Sequence, residues 1–149
     1  MPEKKTIERA KRDKAEGKAP STQAGEFVRE EIEHIRQGKH GARSPQQAIA
    51  IGLSKARRAG VELPPPKKGK TSEATRKRAE RDLEKGRGGK QAKPPAKRSR
   101  ARLDVLKKES RSSASKKALS KHAKQAAARR KRSGTVTSST RKKTAKRAR

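Results

Sequence analysis

The chain contains no cysteine, tryptophan or tyrosine, and only one phenylalanine, Phe27. Without thiols, disulfides, thiolate metal sites and cysteine nucleophiles are excluded. A single aromatic ring supplies no stacking platform of the kind that single-strand binders offer to bases. No apolar run approaches the roughly 18 residues of a membrane span. Carboxylates are also scarce: 15 Asp and Glu stand against 46 Lys and Arg, for a net charge of +31 in 149 residues. Only 26% of the residues are hydrophobic. That is too little apolar surface to offset the entropy of ordering the whole chain. Composition therefore predicts a mostly disordered protein with a small all-α helical hairpin. The opening residues include Glu3, Glu8, Asp13 and Glu16, too acidic for a transit peptide, and no hydrophobic signal segment follows them. A soluble, cytoplasmic protein is expected.

What charge there is lies mostly at one end. Residues 1–19 carry seven basic and four acidic side chains, residues 20–66 carry seven and five, and residues 67–149 carry 32 and six. The last segment alone is +26, and after Glu109 there are 15 Lys and Arg and no acid. This asymmetry divides the chain into a mixed-charge flexible leader (1–19), a two-helix domain (20–66) and a disordered Lys/Arg-rich tail (67–149). The leader has Ile7 as its only large apolar residue past Met1, so a helix there has no face to bury.

In the middle segment apolar residues become periodic. Ala24, Phe27, Val28, Ile32 and Ile35 recur at spacings of three and four, predicting a helix over about 21–37 capped by Ser21 and stopped by Gly38. Its opposite face carries Glu26, Arg29, Glu30, Glu33 and Arg36. A second helix, about 45–59, has Ser44 as N-cap, Pro45 at its first position and Gln47 placed for a capping box. Gly60 is its left-handed stop, with Val61 folding back on Ala56, and Pro64, Pro65 and Pro66 end the unit. Nine of the 17 large apolar residues fall in this segment. A hairpin with so few anchors is marginal alone, and self-association, a protein partner or nucleic acid is expected to firm it. Beyond Lys67 periodicity fades, leaving transient helices at 72–85, around 101–108 and at 115–132, separated by Gly, Pro and Ser clusters.

Function follows from the tail. Lys67, Lys68 and Lys70, then Arg76, Lys77 and Arg78, Lys97, Arg98 and Arg100, Arg129, Arg130, Lys131 and Arg132, and finally Arg141, Lys142 and Lys143 form basic clusters suited to a polyphosphate backbone. The expected partner is nucleic acid, DNA before RNA, bound largely without sequence preference by a histone-like, nucleoid-associated protein. Lys55, Arg57 and Arg58 at the end of the second helix are the domain's own possible contact. A helix-turn-helix reading is disfavoured: the Gly38–Ser44 connection exceeds the usual three- or four-residue turn, and Glu26, Glu30 and Glu33 would repel phosphate. The alternative is a ribosome- or RNA-associated protein whose hairpin docks a partner. Membrane attachment lacks an amphipathic anchor. His34, His40 and His122 are scattered, with no ligand spacing apparent, and are expected to be solvated rather than to bind metal. Gly38 and Gly41 match a short clamp-loop pattern without the βα context it needs. No catalytic constellation or cofactor motif can be assembled, so the expectation is not an enzyme and no cofactor.

The run SPQQAIAIGLSKARRAG at 44–60, preceded by GKHG at 38–41, resembles a family of small, highly basic bacterial proteins of unknown function. The matching residues are Gly38, Lys39, His40, Gly41, Ser44, Gln47 through Ile51, Leu53, Ser54, Ala56 and Arg57. The resemblance covers about residues 21–66; members are sometimes described as DNA-binding or plasmid-stabilisation proteins, and the resemblance implies no established mechanism. The tail separately is similar in composition to bacterial histone-like and linker-histone tails.

Overall fold

Three helix starts are set by local chemistry. Pro20 and Pro45 occupy first-turn positions, where a missing N–H costs nothing, and Ser44 and Ser72 cap with their hydroxyls. In the computed structural model, residues 2–89 and 95–147 are described, with side chains described up to Arg132. Among them the helices are α1 (Lys4–Ala15), α2 (Pro20–Arg36), α3 (Pro45–Arg58), α4 (Glu73–Arg87), α5 (Ala96–Lys108) and α6 (Lys116–Arg147), with a single 3-10 turn at Ser112–Ala114. The only β feature among the described residues is an isolated Lys68–Thr71 bridge. The chain forms two compact units, residues 1–114 and residues 115–149, the second consisting chiefly of α6.

The core of the first unit starts from α2 and α3. Ala24 and Phe27 of α2 pack with Ala56 of α3 and Val61, joined by Leu53, Ala59 and Leu63. The two helices come so close that a Cβ on Gly52 would lie 2.7 Å from Val28 Cα. Both helices end as their glycines direct. Gly38 and Gly60 take positive φ, while Lys39 N–H donates to His34 O (3.0 Å) and Val61 N–H to Ala56 O (3.1 Å). Two local expectations need correction. Ser21 is not the cap of α2, which begins at Pro20 behind Ala19. Gln47 Oε1 accepts from Arg43 N–H at 2.7 Å, one residue earlier than a capping box requires, although Ser44 Oγ accepts from Gln47 N–H as expected.

The expectation of a mostly disordered chain is overturned: order extends on both sides of the hairpin. The leader forms α1, which buries Ala10 beside Phe27 and sets Ile7 against the same cluster. Its apolar face is small, but a partner exists in α2. Downstream, α4 packs on α3. Gly86 seats so closely that a Cβ there would fall 1.9 Å from Arg57 O. Ser54 Oγ donates to Asp82 at 2.5 Å, and Arg87 pairs with Glu62 at 2.7 Å. The C-terminal end of α5 is tied to the Gly38–Arg43 loop by main-chain bonds, Gly41 N–H to Leu106 O (2.8 Å) and Ala42 N–H to Ser110 O (3.1 Å). The 3-10 turn then buries Ala114 with Ile35, Ala42 and Ala48, and Arg36 Nε donates to Ala114 O at 2.9 Å. Alanine, glycine and backbone contacts hold this half, and none of them registers as hydrophobic periodicity. No helix of the described residues is long and apolar enough to cross a membrane.

Candidate functional site

Two features of the surface and interior carry chemistry: the exposed basic side chains from Lys67 onward, and a half-buried histidine–carboxylate cluster between α2 and the loop that follows it.

The basic residues lie in turn on the segment before α4, on α4, on α5 and on α6. Lys67, Lys68 and Lys70 sit exposed on the turn before α4. Lys77 and Arg78 are exposed on α4, but Arg76 is engaged there by Glu73 (2.5 Å) and Glu80. The hydrogen bond to Glu73 raises the Arg76 pKa and lowers that of Glu73. Lys97, Arg98 and Arg100 are exposed on α5, which buries none of its residues. Arg129, Arg130, Lys131 and Arg132 are exposed on α6. The Arg141, Lys142 and Lys143 side chains lie outside the described residues, although α6 includes their backbone.

The three cations at the end of α3 face inward or are tied to neighbours. Lys55 Nζ lies 2.6 Å from Glu31. Arg57 is buried and donates to the Leu63 and Pro64 carbonyls at 3.1 and 3.3 Å, with burial pushing its pKa down. Arg58 pairs with Asp82 at 3.2 Å. All three therefore serve the α2–α3–α4 packing.

The cluster assembles around α2. Glu31 points into the interior, its side chain only 1% exposed. One carboxylate oxygen takes the Lys55 bond; the other, Oε1, lies 3.2 Å from His40 Nε2 without hydrogen-bond alignment and has no hydrogen-bond partner. His40 Nδ1 is 3.0 Å from Gly41 O. His34 Nε2 lies 2.9 Å from Glu3 Oε1, and Lys39 Nζ reaches the same oxygen at 3.3 Å. These two partners hold the Glu3 carboxyl below its ordinary value. Buried Glu30 accepts from Glu3 N–H at 3.2 Å. The imidazoles of His34 and His40 meet edge to face, with centroids 6.4 Å apart. Glu31, His34 and His40 each offer a ligand atom, all within 4.8 Å of one another.

Neither histidine is the solvated side chain that its position in the sequence suggested. The missed signal lies on α2. Positions 24, 27, 28, 31 and 35 form one stripe, so Glu31 stands where an apolar residue belongs, and His34 follows it by one helical turn. Glu30, assigned to the solvent face, is buried by α1, whose packing the sequence did not announce.

Neither the curated proteins nor the solved structures contain a match to the chain. Over residues 3–68, which take in α1 to α3 and every residue of the histidine–carboxylate cluster, the chain is similar to a family of unknown function, DUF6496.

Proposed function

We propose that the protein binds double-stranded DNA without strong sequence preference, as a histone-like and nucleoid-associated cytoplasmic protein, and catalyses no reaction. The observation that carries this is the +26 of residues 67–149, displayed in the described part largely on exposed side chains of the turn before α4 and of α4, α5 and α6. Cations displayed this way release condensed counterions when they meet phosphate. The sole aromatic, Phe27, is 1% exposed, which favours backbone contact over base stacking and so duplex over single strand. Lys55, Arg57 and Arg58 are occupied within the fold and belong to the scaffold in this reading.

The test keeps the chain whole, because residues 67–114 are part of the same compact unit as the hairpin. Duplex-DNA mobility shifts at 50 and 200 mM salt compare the wild type with a variant carrying Lys→Gln and Arg→Gln at Lys77, Arg78, Lys97, Arg98 and Arg100. With about eight phosphate contacts, wild-type affinity falls by roughly 10³–10⁵ across that range. The neutralised variant binds more weakly at low salt and shows a shallower salt slope. Equal binding by both proteins, or binding indifferent to salt, overturns the proposal.

A further inference from the structure

We infer that Glu31, His34 and His40 form a binding site for a divalent transition-metal ion of the zinc class. Three observations converge on it.

The first is proton bookkeeping at His40. A carbonyl oxygen only accepts, so the contact with Gly41 O at 3.0 Å places the proton on Nδ1. In the neutral ring, Nε2 then carries a lone pair and has no proton to give to Glu31 Oε1, 3.2 Å away. Glu31 Oε1 is itself a buried carboxylate oxygen without a hydrogen bond. A cation between the two atoms resolves both defects.

The second is distance. Zinc holds nitrogen and oxygen donors at about 2.0–2.2 Å, which sets neighbouring donors of a tetrahedron about 3.3–3.5 Å apart. The His40–Glu31 separation of 3.2 Å is near that edge, and His34 brings the third donor within 4.8 Å. A donor set of two imidazoles and a carboxylate suits zinc and its neighbours better than calcium or magnesium, which favour all-oxygen shells.

The third is the surroundings. Metal-binding side chains are usually oriented by outer partners. Each of the three has a second contact: Gly41 O for His40, Lys55 for Glu31 and Glu3 for His34. The charge count agrees. Glu3, Glu30 and Glu31 carry three negative charges against two positive ones on Lys39 and Lys55, which leaves one negative charge when both histidines are neutral. Bound here, the ion pins the Gly38–Arg43 loop to α2.

The test uses the full chain stripped with a chelator and titrated with Zn²⁺ by calorimetry and with Co²⁺ by visible absorption. One equivalent binds, and Co²⁺ develops the intense bands of a tetrahedral site. His40→Ala and His34→Ala weaken binding beyond the roughly 10–100-fold typical of outer-shell changes, whereas His122→Ala, on α6, leaves it unchanged. His40→Cys retains the metal and adds a thiolate charge-transfer band, readily assigned because the chain has no other cysteine. That variant decides the matter even if alanine at position 40 fails to fold. No binding of one equivalent, equal loss with His122→Ala, or no thiolate band in a folded, metal-loaded His40→Cys protein overturns the site.

Discussion

Gly41→Ala tests how the half of the first unit without apolar periodicity is held. A Cβ at this position would lie 2.0 Å from Glu109 O and 2.5 Å from its carbonyl carbon, against an ordinary contact of at least 3.4 Å. The obstacle is backbone, so no side-chain rotation relieves it, and Glu109 must retreat by about 1.4 Å. A retreat of that size carries the Gly41–Leu106 and Ala42–Ser110 bonds, now 2.8 and 3.1 Å, out of hydrogen-bonding range. Two main-chain bonds are worth about 1 kcal/mol each, and the fully buried Ala42 keeps an unsatisfied donor, so the local cost is about 2–3 kcal/mol. Amide exchange at Gly41 and Ala42 then accelerates by about 30- to 150-fold, since 1.4 kcal/mol is tenfold. Amides of α2 facing α3, around Phe27 and Glu31, keep their protection. Hydrogen exchange resolved by NMR reads both groups in one experiment. Gly25→Ala is the control, because its Cβ meets nothing within 4 Å and it sits inside α2. Exchange at Ala42 no faster than in the wild type would falsify the docking argument, and equal loosening of the α2–α3 core would show that 106–114 is not separately held.

Three more outcomes are expected. Phe27→Ala removes the largest fully buried side chain and lowers unfolding free energy by about 3–5 kcal/mol in urea titration; a loss below about 1 kcal/mol would mean that the α2–α3 core is not the main support. Lys55→Met strands the Glu31 carboxylate and costs about 3 kcal/mol, at the low end for a broken buried pair because Lys55 keeps 20% exposure. The double variant Glu31→Gln, Lys55→Met recovers part of that loss, and denaturation showing no recovery speaks against a coupled pair. Arg87 holds the Glu62 carboxyl below its ordinary value of 4.5, so this pair's stabilisation is complete above that pH and is lost as pH falls through the lowered folded-state value. The melting-temperature difference between wild type and Glu62→Gln therefore closes as pH drops from about 6 to about 2, and a difference that persists at the acid end contradicts the ion pair.

How much was legible follows from which interactions leave a periodic trace. The α2 stripe and the Ser44, Gly38 and Gly60 signals all act over fewer than six residues, and each reappears in the structure near its predicted place. The order of the described residues between 67 and 114 rests on interactions that leave no such trace: the Gly86 contact with Arg57 O, the Ser54–Asp82 bond and the main-chain link from Gly41 to Leu106. Each joins residues at least 28 apart in sequence. Composition counts hydrophobic area and is blind to close backbone approach through glycine and alanine. For this reason low hydrophobicity overstated disorder.

The same division runs through the candidate sites. Sequence alone determined that the chain is rich in cations, that they concentrate beyond Lys67, and that thiol chemistry is absent, because these are counts and positions. It also determined a helix–loop–helix at 20–60, because capping and the 3.6-residue period are local. Only the tertiary structure decided which charges remain available. It set Lys55 against Glu31, buried Arg57 and paired Arg58 with Asp82, taking the end of α3 into the scaffold. It also brought His40 from a loop to Glu31 and His34 on a helix. Convergence of that kind depends on the turn at Gly38 folding the loop back along α2, a geometry that residue spacing does not encode.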